Sequence, residues 1–151
     1  MKKIDLKKLI VSFSIVSGLV LLSMILTKNS MDLYKEMIKP DIAPPSIVFP
    51  IVWTILYTVI AITLYRFIDN KKIRNLIILN VIINIIWPIL FFRFELFLFS
   101  AIWLVLIIVT LIYELIEIYK ESKVFAYINI PYLVWLFFAL YLNIMIFLLN
   151  K

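Results

Sequence analysis

The chain has 151 residues, of which 66% are hydrophobic, and its formal net charge is +6. Soluble domains hold only about 45–50% apolar residues, so a soluble fold is excluded. A membrane-spanning helix uses roughly 20 apolar residues. The approximately 100 apolar positions therefore supply five spans and leave no room for an extramembrane domain.

Several residue types on which catalytic and cofactor sites depend are absent or scarce. The sequence contains no Cys, no His and a single Gly, Gly18. Zinc sites and haem axial ligation usually use His or Cys, a Ser-His-Asp triad needs His, and phosphate-binding loops need several glycines. We therefore expect no metal and no cofactor. The positive charge favours anionic lipid headgroups over nucleic acid, since no soluble surface remains to carry a basic face.

Five apolar runs follow one another along the chain, separated by short polar segments. The first has the basic start of a signal peptide, but no small-residue cleavage site follows it, so we expect a retained span. The predicted fold is all-α, an integral membrane bundle of five transmembrane helices forming one domain over residues 1–151. The spans are expected at about 9–26, 46–67, 75–92, 96–119 and 124–149.

The segment 27–45, between the first two spans, is the longest polar stretch and holds three of the six prolines. Residues 31–38 are expected to form a short amphipathic turn or helix. Pro40, Pro44 and Pro45 then force an extended entry to the second span, because the residue before a proline is pushed out of the helical region.

Pro88 lies near the end of the third predicted span. Inside a helix it has no N–H for the carbonyl four residues earlier, that of Asn84. The sequence is consistent with a kink that frees this carbonyl and equally with an ordinary transmembrane proline.

Lys and Arg are distributed unequally between the two sides of the predicted bundle. The N-terminal tail, the second loop and the fourth loop carry ten of them, and the opposite side carries five. The positive-inside rule predicts a cytoplasmic N-terminus, with the first loop and the C-terminus outside. The cell membrane of a bacterium is the expected location.

Ionisable residues are missing from the middle of every predicted span. Glu114 and Glu117 lie near the end of the fourth. Proton relays and ion pathways usually need an intramembrane charge, which argues against an ion-coupled pump or a channel. A carrier for a hydrophobic solute stays open.

Aromatic and amide residues recur at helical spacing on three spans, so that each set shares one helix face. Each stripe alone has a structural interpretation, because interior amides commonly link helices and Trp and Tyr form interfacial belts. Together they predict one cavity lined by flat aromatic faces and a few polar groups, suited to a planar apolar ligand. The stripes are Trp53, Tyr57 and Ala61 on the second span, Asn80, Asn84, Trp87 and Phe91 on the third, and Tyr132, Trp135, Ala139 and Asn143 on the fifth.

Motifs in the first loop and in the second, third and fifth spans match one known family in order and spacing. They are Lys39-Pro40 through Pro44-Pro45, Phe49 through Tyr57, Leu79-Asn80, Asn84 through Trp87 with Phe91-Phe92, and Pro131 through Trp135 followed by Phe138 through Asn143. In these motifs, which extend over essentially the whole chain, the sequence resembles the TspO/MBR family of translocator and tryptophan-rich sensory proteins. It departs from the family pattern at Ala61, Pro88 and Arg93, and Tyr141 lacks the basic residue that follows it in the sterol-binding pattern.

This resemblance implies five transmembrane helices, a first loop that covers the pocket as a lid, and a homodimer. It implies porphyrins, haem-type tetrapyrroles or other flat hydrophobic molecules as ligands. Some bacterial members are reported to degrade porphyrin photo-oxidatively, and Tyr34, Trp53 and Trp135 match the residues associated with that activity. The implied ligand-binding positions are Tyr34, Pro44, Trp53, Tyr57, Asn84, Trp87, Phe91, Trp135, Ala139 and Asn143.

Three functions follow as hypotheses, in order of preference. The first is a membrane receptor or sensor that binds porphyrins and related tetrapyrroles. The second is an enzyme that degrades porphyrin with light and oxygen, in which Trp and Tyr act as electron donors. The third is a transporter of tetrapyrroles or other hydrophobic ligands, which the missing coupling charges disfavour as an active mechanism.

Overall fold

The computed structural model of the chain describes residues 4–28 and 30–151. Five helical segments in this part are long and apolar enough to cross a membrane, and no strand occurs in it, which confirms the predicted all-α membrane bundle. The helices are α1 (Leu6–Leu26), α2 (Ser30–Glu36), α3 (Val48–Phe67), α4 (Lys71–Pro88) with a π-helical turn (Ile89–Arg93), α5 (Phe97–Glu121), α6 (Lys123–Ile128) and α7 (Ile130–Leu149).

Two of the helices, α1 and α4, begin at side-chain caps and not where hydropathy begins to rise. Asn70 accepts a hydrogen bond from the backbone N–H of Ile73 at 3.2 Å, so α4 starts at Lys71, four residues before the predicted span. Asp5 caps α1 in the same way through the N–H of Lys8 at 3.2 Å. A capped first turn satisfies backbone donors that the apolar run alone leaves free.

The buried centre of the bundle follows α5. This helix packs against α4 on one side and α7 on the other, whereas α1 packs against α3 and α4 at the periphery. Of the five spanning segments, α5 has the largest buried share and α1 the smallest. Most of α1 therefore lies on the outside of the bundle.

Contacts at the two ends of the bundle show which loops share a side. At one end, the Asn150 amide accepts from the N–H of Ile38 at 3.0 Å and donates to its carbonyl at 2.8 Å. At the other end, Lys8 forms an ion pair with Asp69 of the α3–α4 loop. The first loop and the C-terminal residues therefore lie together, opposite the start of α1, as an odd number of spans requires.

Pro88 does not break α4. The helix runs through it and continues as the π-helical turn. Because Pro88 has no N–H, the carbonyl of Asn84 loses its helical partner at this point. The Ser23 hydroxyl of α1 donates to the adjacent carbonyl of Ile85 at 3.3 Å. The neighbouring helix thus supplies a donor where the backbone of α4 is disturbed.

The structure separates the two carboxylates that hydropathy places together near the end of α5. Glu117 pairs with Lys72 at 2.7 Å and Lys120 at 2.6 Å, as expected of a residue near the bundle's end. Glu114 is only 4% exposed and lies on the buried face of α5. The sequence places both residues near the end of the fourth span, and only the packing shows that Glu114 turns inward, because a span's hydropathy does not show which face does so.

Candidate ligand-binding site

A cavity of about 630 Å³ lies between α1, α3 and α4. Its size falls in the range of cavities that hold a small-molecule ligand, about 300–1,000 Å³. Aromatic rings from all three helices line it, and most of its surface is apolar. The aromatic lining comprises Phe13, Phe49, Trp53, Tyr57, Trp87 and Phe92, and the polar lining comprises Ser17, Ser23, Thr27, Lys28, Thr54, Thr58 and Asn84.

The cavity opens sideways, between α1 and α3. Leu21 and Met24 line it and are also 58% and 62% exposed on the outer surface of the bundle. Thr54 and Thr58 are likewise exposed lining residues, and their hydroxyls donate to backbone carbonyls one turn back at 2.7 and 2.8 Å. The opening therefore presents apolar groups and satisfied hydroxyls to the bilayer, so a hydrophobic ligand can enter without crossing water.

Two rings of α3 form a flat aromatic wall. Trp53 and Tyr57, one turn apart, stack with centroids 5.2 Å apart and an interplanar angle of 25°. The edge of Trp53 meets Trp135 of α7 at 6.5 Å and 89° and Tyr132 at 6.3 Å and 69°. The ring planes of the wall are thus held from behind by α7, which leaves one aromatic surface available to the cavity.

The predicted binding residues fall into two groups. Trp53, Tyr57, Asn84 and Trp87 line the cavity, and so does Ala61 of the same α3 stripe. The other predicted positions lie outside its lining: Tyr34 and Pro44 in the first loop, Phe91 in the π-helical turn, and Trp135, Ala139 and Asn143 on α7. Tyr132 and Trp135 of the α7 stripe meet the ring of Trp53, which stands between them and the cavity, whereas Asn143 lies behind Trp87.

Trp135 has an unusual environment for its indole N–H. The ring is half-buried against Phe49 at 5.9 Å and Phe138 at 5.5 Å, and it meets the edge of Trp53. Its Nε1 is buried and has no hydrogen-bond partner among the described residues. Trp135 therefore contributes to the site through the rings it supports.

Asn143 orients a cavity-lining ring from outside the cavity. Its Oδ1 accepts from Nε1 of Trp87 at 2.9 Å and from the Ser100 hydroxyl at 3.0 Å, and its Nδ2 donates to the Phe97 carbonyl at 2.7 Å. Phe91, 2% exposed, packs on Trp87 with centroids 5.4 Å apart. Both residues position Trp87.

A chain of side-chain hydrogen bonds starts at the cavity and joins four helices. The Tyr57 hydroxyl donates to Asn84 Oδ1 at 3.1 Å, and Asn84 Nδ2 donates to the Tyr132 hydroxyl at 2.6 Å. Tyr132 in turn donates to Asn80 Oδ1 at 2.8 Å, and Asn80 Nδ2 reaches Thr110 Oγ1 at 2.9 Å. Since Tyr57 donates away from the cavity, its oxygen lone pairs are the polar feature that it can offer a ligand.

The first loop folds onto the end of the bundle where the C-terminal residue Asn150 lies. Its helix α2 lies where the sequence predicts a short helix. Tyr34 is only 3% exposed: its hydroxyl donates to the Pro44 carbonyl at 3.0 Å and its ring meets the edge of Phe49 at 4.9 Å. Burial raises the pKa of the Tyr34 phenol above its ordinary value, so the group stays protonated and remains a donor.

Tyr34→Phe is expected to loosen the first loop and to leave the bundle folded. The variant loses one hydrogen bond, worth about 1 kcal/mol, which corresponds to roughly fivefold faster amide exchange in residues 30–45. Hydrogen exchange followed by mass spectrometry measures this rate, and α5 serves as the internal reference. Unchanged exchange in residues 30–45, or an equal increase in α5, would contradict a local role for Tyr34.

Sequence reasoning missed the contribution of α1. Seven residues from Phe13 to Met24 line the cavity, as do Thr27 and Lys28. The helix is apolar on all sides, so no stripe singles out a face, and Lys28 follows the span as an ordinary membrane anchor does. Only the position of α1 beside α3 shows which of its faces lines the cavity.

Comparison with known proteins finds one family. The model of the TspO/MBR family matches residues 10–149. The chain is 32% identical over 122 residues to the Tryptophan-rich protein TspO of Archaeoglobus fulgidus, covering 78% of this chain and 79% of that one. It is 30% identical over 152 residues to the protein of the same name from Bacillus cereus, covering 95% and 97%, and 29% identical over 124 residues to that from Chlorobaculum tepidum, covering 78% of each chain.

Proposed function

The chain belongs to the TspO/MBR family of integral membrane proteins, and on that premise we propose that it is a receptor or sensor for porphyrins and related tetrapyrroles. The observation that carries the proposal is the stacked pair of Trp53 and Tyr57 in the wall of the cavity. A porphyrin is flat, aromatic and largely apolar, and offset stacking on such a wall is its most favourable contact. The lateral opening allows it to enter from the bilayer.

The chemistry of the lining limits how a tetrapyrrole is held. The sequence has no His and no Cys, so the usual axial ligands of a haem iron are lacking. Stacking on Trp53 and Tyr57, apolar contact with α1 and hydrogen bonds to groups such as the Tyr57 oxygen are what the cavity supplies. A metal-free porphyrin needs no ligand beyond these contacts.

The proposal includes an orientation and an oligomeric state. With the N-terminus in the cytoplasm of a bacterial cell, the first loop and the C-terminus face outward, and the hydrogen bonds between Asn150 and Ile38 support a common side for these two segments. The family resemblance favours a homodimer. Labelling of single cysteines introduced at each terminus tests the orientation, and light scattering of the purified protein tests the dimer.

Titration of the purified full chain with protoporphyrin IX in detergent tests the binding function. We expect a saturable shift of the porphyrin's Soret absorption with one porphyrin per chain, accompanied by quenching of tryptophan fluorescence. Empty micelles at the same detergent concentration are the control, because a porphyrin also partitions into detergent. A signal that rises linearly and equally in empty micelles would exclude the proposed receptor.

Light-driven degradation of the bound porphyrin by dioxygen is the second candidate. The observation that favours it is the contact among the rings of Trp53, Tyr57 and Trp135, since Trp and Tyr are the side chains that can donate single electrons here. Illumination of the complex in air, followed through the porphyrin's absorption, tests it. Loss of porphyrin no faster than in detergent alone would leave the receptor function without the enzymatic one.

A further inference from the structure

Among the described residues that line the cavity, Lys28 is the charged one and none is a carboxylate. It follows Thr27, the residue that caps α1, and its side chain is exposed at the end of the cavity nearest the first loop. In the part of the chain that the structure describes, Lys28 forms no salt bridge. This end of the cavity, which we call its mouth, therefore carries a cation without a matching anion among the described residues.

Other lysines of the same side are already engaged. Lys35 forms an ion pair with Asp32 at 3.1 Å. The ammonium of Lys39 donates to the carbonyls of Tyr34 at 2.8 Å and Met37 at 2.9 Å. Neither of the two lines the cavity. Lys28 thus differs from them both in its position and in the availability of its N–H donors.

Four of the lining hydroxyls, two of them near Lys28 at the end of α1, already donate to backbone carbonyls. The Thr27 hydroxyl donates to the Ser23 carbonyl at 2.8 Å, and the Ser23 hydroxyl donates to the Ile85 carbonyl. The hydroxyls of Thr54 and Thr58 are occupied within α3. An acidic ligand group at this end of the cavity therefore finds its cationic donor in Lys28.

The dipoles of α1 and α3 do not supply a positive charge in place of Lys28. The C-terminus of α1 and the N-terminus of α3 lie at the same end of the cavity, since the two helices pack against each other in opposite directions. Their partial charges have opposite signs and offset each other. The two helix ends therefore supply no net positive charge that could replace the ammonium of Lys28.

We propose that Lys28 binds a carboxylate on the edge of the ligand, so that the site selects flat apolar ring systems that carry at least one peripheral carboxylate. The ring lies against Trp53 and Tyr57, while the carboxylate reaches the mouth and the polar surface of the membrane. This inference rests on the proposed porphyrin-binding function and defines its ligand class. Lys28 acts here as a specificity-determining residue.

The test compares protoporphyrin IX, a dicarboxylate, with its dimethyl ester, which has the same ring and no charge. Both are titrated into the full chain in a neutral detergent, and the ratio of their dissociation constants is measured. Lys28→Gln is expected to weaken binding of the acid by about three- to tenfold, the range of a partly exposed charge-assisted contact, and to leave binding of the ester unchanged. Lys28→Glu should weaken the acid further, and Lys28→Arg should retain its binding.

Lys35→Gln is the matched control, because it removes the same charge from the same side of the membrane but outside the cavity. Its acid-to-ester ratio should equal that of the wild type. High salt should reduce the effect of Lys28 by screening. These comparisons separate a contact with the ligand from a general surface potential.

The possible outcomes separate the role of Lys28 from the receptor function. If both compounds bind saturably and Lys28→Gln leaves their ratio unchanged, the role of Lys28 is refuted and the receptor function stands. An equal change of ratio in Lys35→Gln would refute it too, because the effect would then come from net charge. If neither compound binds the wild type saturably, the receptor function fails and the ligand class inferred from it fails as well.

Discussion

Trp53→Ala is expected to weaken the binding of protoporphyrin IX by about 10- to 100-fold. Stacking of an aromatic ring on a flat ligand contributes about 1–3 kcal/mol, and every 1.4 kcal/mol changes affinity tenfold. The variant removes the ring that stacks on Tyr57 and lines the cavity, and it leaves Tyr57 without its stacking partner. Titration followed by the Soret absorption measures the change and does not depend on the number of remaining tryptophans.

The other tryptophans provide a graded comparison for this prediction. Trp135→Ala should have a smaller effect, because Trp135 supports Trp53 from outside the cavity. The double variant of Trp53 and Trp135 should lose saturable binding. Trp103→Ala is the matched control, since Trp103 of α5 donates to the Ile83 carbonyl at 2.7 Å and does not line the cavity. Unchanged binding in the double variant would show that the porphyrin binds outside this cavity.

Tyr132→Phe is expected to lower the free energy of unfolding by about 2 kcal/mol. The buried hydroxyl accepts from Asn84 and donates to Asn80, so its removal leaves two interior amide groups each short of a partner. An unsatisfied buried polar group costs about 1–3 kcal/mol in water-soluble proteins, and interhelical hydrogen bonds in membranes are worth about 0.6–1.7 kcal/mol. Reversible denaturation with SDS in mixed micelles measures the loss.

Tyr141→Phe is the matched control for the Tyr132 variant. Both residues lie on α7 and undergo the same change, but Tyr141 is 43% exposed on the outer surface. Its replacement should change the free energy of unfolding by less than about 0.5 kcal/mol. Equal stability of the two variants would show that the hydrogen-bond chain between Tyr57 and Thr110 does not contribute to the fold.

The number, order and approximate limits of the spans were predictable from the sequence. A bilayer offers no hydrogen-bond partners, so every spanning segment must form its backbone hydrogen bonds within itself. Composition and the length of the apolar runs are therefore sufficient to predict how many spans there are and roughly where each lies. The start of α4 at Lys71 was missed because Lys71 and Lys72 lower hydropathy in the first turn, although Asn70 caps that turn.

Part of the cavity was predictable because helical spacing is local. Trp53 and Tyr57 share a face of α3, and Asn84 and Trp87 share a face of α4, and these four residues do line one cavity. The sequence also predicted the Pro-rich first loop and the resemblance to the TspO/MBR family. The reason is the same, because motifs and turns involve residues that are neighbours in the chain. Porphyrin binding itself stays a prediction.

The sequence by itself thus determined what each segment is: five apolar helices, three of them with an aromatic or amide stripe, and a Pro-rich loop. Only the tertiary structure decided which faces meet. It places Trp135 behind Trp53, buries Glu114 while Glu117 pairs with two lysines, and brings Lys28 of α1 to the mouth of the cavity. The reason is that the rotation of each helix and its distance from the next depend on packing between residues far apart in the chain, and an apolar helix such as α1 gives no sign of which side that packing will choose.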